Sequence, residues 1–233
     1  MVGRLHAVVG PSGAGKDTLI DAARAVRRDL AVARRVITRP SAAGGEDFEG
    51  VSVEEFDRRL AAGEFALHWE AHGLKYGVPI EIETALNEGR DVLFNGSRAI
   101  LPEAYALYPN MGVLLITASP EVLADRLASR GRETRAEIEK RLARAEYDIA
   151  PGLPVRRVNN DGALDEAVGV ITKNLGRRVK KEEMPADDIL LRWENRVIPL
   201  ADALKTEAGA IEPAIEEVHR CVSELLEQQT DHG

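Results

Sequence analysis

An α/β fold, a parallel sheet covered by helices on both faces, is what the sequence predicts, and three observations predict it. "RLHAVV" (4–9) is a short apolar run that leads through a Gly-rich turn into "KDTLIDAARAVRR", where Leu19, Ile20, Ala23 and Val26 recur at helical spacing. Three further buried-strand candidates, "DVLFNGS", "MGVLLITAS" and "VRRVNND", are each followed by a helical pattern. Such alternation implies βαβ units and a sheet buried on both sides. Finally, the polar residues Gly10, Arg39, Asn95 and Asn159 fall at the carboxyl ends of strand candidates, where an open α/β sheet collects its ligand.

The elements follow in order. After the first strand and helix, "RRVITR" (34–39) reads as the second strand, stopped by Pro40, and "SAAGGEDFEG" (41–50) as a flexible polar loop. "VEEFDRRLAAG" reads as a helix closed by Gly63, "EFALHWEAHG" and "KYGVP" as two strands, and "IEIETALNEG" as a helix. Beyond Gly176, "RRVKKEEMPADD" lacks apolar periodicity and reads as a charged linker, 177–188. Leu190, Trp193, Val197, Leu200 and Leu204, then Ile211, Ile215, Val218, Val222 and Leu225, step by three and four. These predict a helical extension over 189–233, its first stripe interrupted at Pro199. The stripes leave open a hairpin packed on the rest of the chain or pairing across a homodimer.

A chain of 233 residues has room for one substantial core plus a small annex. With 44% hydrophobic and 30% charged residues and no apolar run near the roughly 18 residues of a membrane span, a membrane protein is not expected. No leader pattern opens the sequence, so a cytoplasmic protein is the expectation. The net charge of −8 is concentrated at one end: from residue 182 onward there are 13 acidic and 4 basic residues, leaving the first 181 near neutrality. Arginines in spaced pairs with few interleaved aromatics argue against a nucleic-acid partner. The single cysteine, Cys221, cannot form an internal disulfide and reads as a buried thiol.

"GPSGAGKDTL" (10–19) carries the chemistry. Gly10, Pro11, Ser12, Gly13, Ala14 and Gly15 allow backbone N–H groups to converge on phosphate oxygens, with a helix N-terminus aimed at the same charge. Lys16 is placed to reach the β and γ phosphates of ATP during phosphoryl transfer. Asp17 stands where such loops carry Ser or Thr. Its carboxylate is a hard ligand suited to Mg²⁺, and no other Asp ends the later apolar strands to serve instead. The alternative is that Thr18 supplies the metal's hydroxyl while Asp17 caps the helix.

"DRLASRGRETRAEIEKRLARAE" places Arg126 and Arg130 one helical turn apart and adds Arg132, Arg135, Arg141 and Arg144. Next to a phosphate loop, a mobile arm bearing guanidinium groups can close over a nucleotide and exclude water. Arg130 and Arg141 are the expected phosphate contacts. "HWEAH" spaces His68 and His72 like a zinc motif, but on a strand, so metal ligation there is not expected.

These pieces, in this order, resemble the guanylate kinase-like branch of the P-loop nucleoside monophosphate kinases, and within it the ribose 1,5-bisphosphate phosphokinases of phosphonate degradation. "GPSGAGKDTL", "RRVITRP" with "GGE", "FALHWEAHGLKYGV", "DVLFNGSRAIL", "RLASRGRE", "IEKRLARA" and "VNNDG" carry the likeness across roughly residues 4–176. The resemblance implies a P-loop NTPase fold with a five-stranded parallel core in a kinase domain over 1–176, an acceptor-binding region about 38–80, and an arginine lid about 130–141. By position it implies Asn159 and Asp161 near adenine, and Arg39, Glu46, Tyr76, Asn95, Ser97 and Arg98 on the acceptor side. It also implies ATP as phosphoryl donor with Mg²⁺, and a sugar bisphosphate as acceptor.

Departures from guanylate kinases themselves support that last implication. Ala43 replaces a second acceptor-loop arginine, Ser52 a phosphate-contacting tyrosine, and Asn95–Gly96 an acidic turn. A base-specific nucleotide kinase is the alternative, and a non-catalytic guanylate kinase-like binding module a further one, which retention of Lys16, Arg130 and Arg141 argues against.

Overall fold

The computed structural model describes residues 2–40, 46–129, 149 and 152–176. Its main sheet is five-stranded and wholly parallel, built from β1 (Leu5–Val9), β2 (Ala31–Val32), β7 (Val92–Asn95), β8 (Gly112–Thr117) and β9 (Val155–Asn159) in the order β2-β7-β1-β8-β9. Strand alternation divides the core between two faces. Leu5, Ala7 and Val9 of β1, with Val92, Phe94, Val113 and Leu115, pack against α3 (Ile82–Asn87) and α4 (Leu101–Leu107). Val8, Leu93, Leu114 and Ile116 face the other way, onto α1 (Lys16–Val26), α5 (Pro120–Ser129) and α6 (Leu164–Asn174).

The sequence places the second core strand at 34–39, and the structure corrects this. Ala31–Val32 is the strand that pairs with β7. Arg35–Ile37 forms β3 of a separate four-stranded sheet, order β4-β3-β6-β5, with β4 at Phe48–Gly50, β5 at Phe65–Ala71 and β6 at Leu74–Pro79. Part of the expected polar loop is therefore strand: Phe48 is buried and β4 pairs in parallel with β3. A two-residue strand gives no visible periodicity, and the partner that orders β4 is distant in the pattern of the sequence. This second sheet closes a small core of Val36, Phe56 and Phe65 beneath α2 (Val53–Ala61), whose first turn is capped by Ser52 Oγ accepting from Glu55 N.

Because the main strands are parallel, the ends of β1, β7, β8 and β9 share one edge, and β1, the central strand, is flanked by the point where strand order reverses. The phosphate loop thus opens at the middle of that edge. Residues 41–45, with Ala43, lie outside the described residues, as do the arginine segment from Arg130 to Arg144, the linker and helical stripes after 176, and Cys221. No described helix is long and apolar enough to cross a membrane.

Candidate nucleotide and acceptor site

Gly10 leaves β1 with φ of 153°, and Gly13 and Gly15 follow at 87° and 84°. Space as well as conformation excludes side chains here. A Cβ on Gly10 would lie 2.3 Å from the Ile116 carbonyl oxygen, and one on Gly15 only 2.5 Å from Asn160 Nδ2. The loop turns back on itself through Ala14 N donating to Pro11 O at 3.3 Å, and α1 begins at Lys16. Lys16 Nζ donates to the carbonyls of Gly10 and Pro11 at 3.0 and 3.1 Å, which arches its ammonium back over the loop. Ser12 and Thr18 are exposed beside it. A ring of backbone groups, a helix start and a tethered ammonium together form an anion site.

Asp17 is half-buried and accepts a hydrogen bond at its Oδ1 from Asn95 Nδ2, at 2.6 Å, across the cleft from the end of β7. The same nitrogen lies 3.4 Å from Glu46 Oε2. Glu46 is gripped in turn by Arg35, whose Nε donates to Oε2 at 3.1 Å and whose Nη2 donates to Oε1. Arg35 is 7% exposed, and its guanidinium lies 5.6 Å from the centre of the Trp69 ring and 5.2 Å from that of Tyr76. Those two rings stack on one another at 5.3 Å, nearly parallel. Three sequence-predicted residues, Asp17, Glu46 and Asn95, are therefore joined directly, with Tyr76 one contact away.

The others sit around this line. Arg39 projects over the Phe48 ring at 4.3 Å. Ser97 caps the short 3₁₀ turn Arg98–Ile100 by accepting from Ala99 N at 3.3 Å, and Arg98 is exposed on that turn. Asn159 and Asp161 form a separate cluster where β8 and β9 end. Asn159 Nδ2 donates to Asp161 Oδ2 at 3.1 Å, while Ser119 N donates to Asp161 Oδ1 at 2.6 Å. The Ser119 amide is the main reason the Asp161 carboxyl is held below its ordinary pKa, with Asn159 and the Arg126 charge contributing.

Four further residues, none singled out as a contact in the sequence, hold the site together. Buried Asn160 donates from Nδ2 to Ala14 O at 2.7 Å, and Arg126 Nη2 donates to Asn160 O at 2.8 Å, so both brace the phosphate loop from the β9 side. Asn160, between the two flagged residues, shows its role only through burial. Arg126 carried a signal, one turn before Arg130 on α5. Arg35 and Trp69 looked like ordinary strand residues, because their partners lie 7 to 41 positions away. His72 also departs from expectation: it lies in the turn after β5 with φ of 53°, while His68 is exposed on the strand.

Among the described residues no three His, Cys, Asp or Glu side chains gather into a metal site. Asp17 and Thr18 are the hard oxygen donors adjacent to Lys16, and a cation shared with phosphate oxygens needs only one or two from the protein.

Comparison with known proteins agrees with this geometry. The guanylate kinase family model matches residues 2–173. The chain is 50% identical over 180 residues to ribose 1,5-bisphosphate phosphokinase of Chromobacterium violaceum, a match covering 76% of this chain and 97% of that one. It is also 50% identical over 167 residues to the enzyme of that name from a Ruegeria species, covering 71% and 88%. A bifunctional ribose 1,5-bisphosphokinase-thymidine phosphorylase of Cupriavidus necator is 44% identical over 204 residues, 86% of this chain but about a third of that protein. That stretch is longer than residues 4–176 expected to carry the likeness, so the similarity runs into the extension. The crystal structure of guanylate kinase from Anaplasma phagocytophilum superposes with a TM-score of 0.59 at 21% identity, covering 84% of this chain and 96% of that one. Fold, phosphate loop and sequence similarity agree, and the chain belongs to the guanylate kinase family.

Proposed function

We propose that this chain transfers the γ-phosphoryl group of ATP to the 1-phosphate of ribose 1,5-bisphosphate, giving 5-phosphoribosyl 1-diphosphate and ADP. The observation that carries the reading is 50% identity across nearly the whole of a ribose 1,5-bisphosphate phosphokinase. The cleft supports it. Glu46, the acceptor-side carboxylate, turns both oxygens into the protein toward Arg35, and β7 ends in an amide already engaged by carboxylates. A purine edge would meet few open partners there, and a site short of those partners discriminates a base poorly.

In this reading an ionised oxygen of the sugar's 1-phosphate attacks the γ phosphorus of ATP. A new P–O bond forms as the bond to the ADP oxygen breaks, and ADP leaves with that electron pair. Since the attacking oxygen carries its charge near neutral pH, no side chain need remove a proton. The chain's task is to hold two polyanions together. The loop amides of residues 10–15 and Lys16 receive the β and γ phosphates, and Arg39 and Arg98 face the acceptor. Asn159 and Asp161 border the adenine end, and Arg130 and Arg141 complete the cover as lid arginines. Asp17 or Thr18 would hold Mg²⁺, which when bound offsets charge shared between the β and γ phosphates. The partners in this reading are small molecules in the cytoplasm, and the extension after residue 188 is where a homodimer contact would form.

An ATP-consumption assay offering ribose 1,5-bisphosphate, GMP and ribose 5-phosphate side by side tests the proposal. Turnover with the bisphosphate alone supports it. Comparable turnover with GMP would instead make the chain a nucleotide kinase.

A further inference from the structure

Asn95 is the last residue of β7, paired in register with Val8 of β1, and its side chain meets two segments remote in sequence. From one nitrogen it reaches Asp17 Oδ1 at 2.6 Å and Glu46 Oε2 at 3.4 Å. A carboxamide nitrogen carries two donor hydrogens, and ionised carboxylates only accept, so the two carboxylates fix which way the amide faces. Without that nitrogen, two negative groups would share one site and repel.

We propose that Asn95 is a positioning residue that holds the Asp17 and Glu46 carboxylates in line, setting the nucleotide and acceptor halves of the cleft through a single side chain. The residue types at 17 and 95 are a matched pair. A carboxylate in the phosphate loop calls for an amide at the end of β7, because an acidic residue at 95 would stand within hydrogen-bond distance of Asp17 with neither able to donate. Arg35 completes the arrangement by fixing Glu46 from the far side, so a line of four side chains runs from α1 to the second sheet. This assignment rests on the proposed function only in treating Asp17 as part of the nucleotide half and Glu46 as part of the acceptor half.

The test is a double-mutant cycle on the full chain with two readouts: the dissociation constant for Mg·ATP by calorimetry without acceptor, and KM for the acceptor. Asn95→Leu is expected to weaken Mg·ATP binding about tenfold, the loss of a charge-assisted hydrogen bond, and to raise the acceptor KM as well. In an Asp17→Asn background the same change should weaken Mg·ATP binding by less than about threefold, because its partner charge is already gone. A contact to the acceptor alone would behave differently. The acceptor KM would move while Mg·ATP binding stayed put, or the two losses would simply multiply, and either result overturns the proposal.

Should Asn95→Leu fail to fold, the exchanged pair Asp17→Asn with Asn95→Asp decides. It restores one amide against one carboxylate between positions 17 and 95, though not toward Glu46, and must bind Mg·ATP more tightly than Asn95→Asp alone; no gain overturns the proposal. Failure of the ribose 1,5-bisphosphate reading would appear separately, as no turnover with that acceptor while the coupling in Mg·ATP binding persisted.

Discussion

Lys16 is held by backbone, through the carbonyls of Gly10 and Pro11, whereas Arg35, across the cleft, is held by side chains: Glu46 in a two-point pair, with Trp69 and Tyr76 beneath. The same contrast runs through the two halves. The phosphate loop is a tight turn on a sheet buried on both faces, and its geometry is fixed mainly by glycine conformations and the close approach of Gly10 to the Ile116 carbonyl, with the Asn160 side chain bracing it at Ala14 and Gly15. The second sheet, the proposed acceptor side, has a small core of its own in Val36, Phe56 and Phe65, joins the main core through Ala66, Leu67, Trp69 and Val78, and is laced by charge. Arg59 bridges Glu49 and Glu64 at 2.9 and 2.8 Å, and Lys75 meets Asp57 at 2.5 Å. A backbone-built site can tolerate change in its surroundings, but a site built of side-chain pairs depends on each residue type. Under the proposed assignment, the phosphate loop could stay constant while the acceptor side is rebuilt for another substrate.

Substitutions can break or sharpen this contrast. The largest effect on stability is expected at Arg35→Ala, which leaves the Glu46 carboxylate without its buried partner and removes the guanidinium from two aromatic faces. A loss of about 3–5 kcal/mol by chemical denaturation is expected. Arg35→Lys should recover little, because an ammonium cannot reproduce the two-point pair or the stack; full recovery would show that charge alone matters there. Lys16→Met should do the reverse, with turnover falling by about 100- to 1,000-fold while the unfolding midpoint barely moves.

Gly10→Ala follows, with destabilisation of about 1–3 kcal/mol from the strained backbone and weakened ATP binding as the loop shifts from the Ile116 carbonyl. An unchanged loop in that variant would undo the claim that backbone approach shapes the phosphate half.

A pH-dependent effect, absent near neutral pH, separates the main sheet from both halves of the site. His6 on β1 is buried, its pKa lowered to about 3 chiefly by burial and secondarily by the Arg4 charge. Between its ordinary value of 6.5 and about 3, the unfolded chain takes up a proton that the folded chain refuses. Stability should therefore fall with decreasing pH through that window, by up to about 1.4 kcal/mol per unit from this group. Equilibrium unfolding of His6→Leu should show a shallower decline between pH 6.5 and 4 than the parent chain; equal slopes would mean that His6 does not set it.

The sequence made the phosphate half readable because its determinants are local. Glycines, lysine and the Asp17 substitution lie within ten residues, and the strand before and helix after carry their own periodicity. The proposed acceptor side was marked by resemblance rather than by local pattern. Glu46, Tyr76 and Asn95 were placed by resemblance, but Arg35 and Trp69 acquire meaning only when β3, β5 and β6 come together in space. Asn160 was hidden for a similar reason, since nothing local distinguishes it from Asn159 beside it. Strand β2, two residues long, is defined by its pairing with β7 and has too few residues to show a pattern of its own.

The central claim is that this cleft joins ATP to an acceptor that is already a phosphate. Phosphorus NMR of the product formed from ATP and ribose 1,5-bisphosphate tests it most directly. The account predicts paired, mutually coupled resonances of a diphosphate on the anomeric carbon, with the 5-phosphate unchanged. A diphosphate at the 5 position, or no product from this sugar alongside ready formation of GDP from GMP, would contradict it.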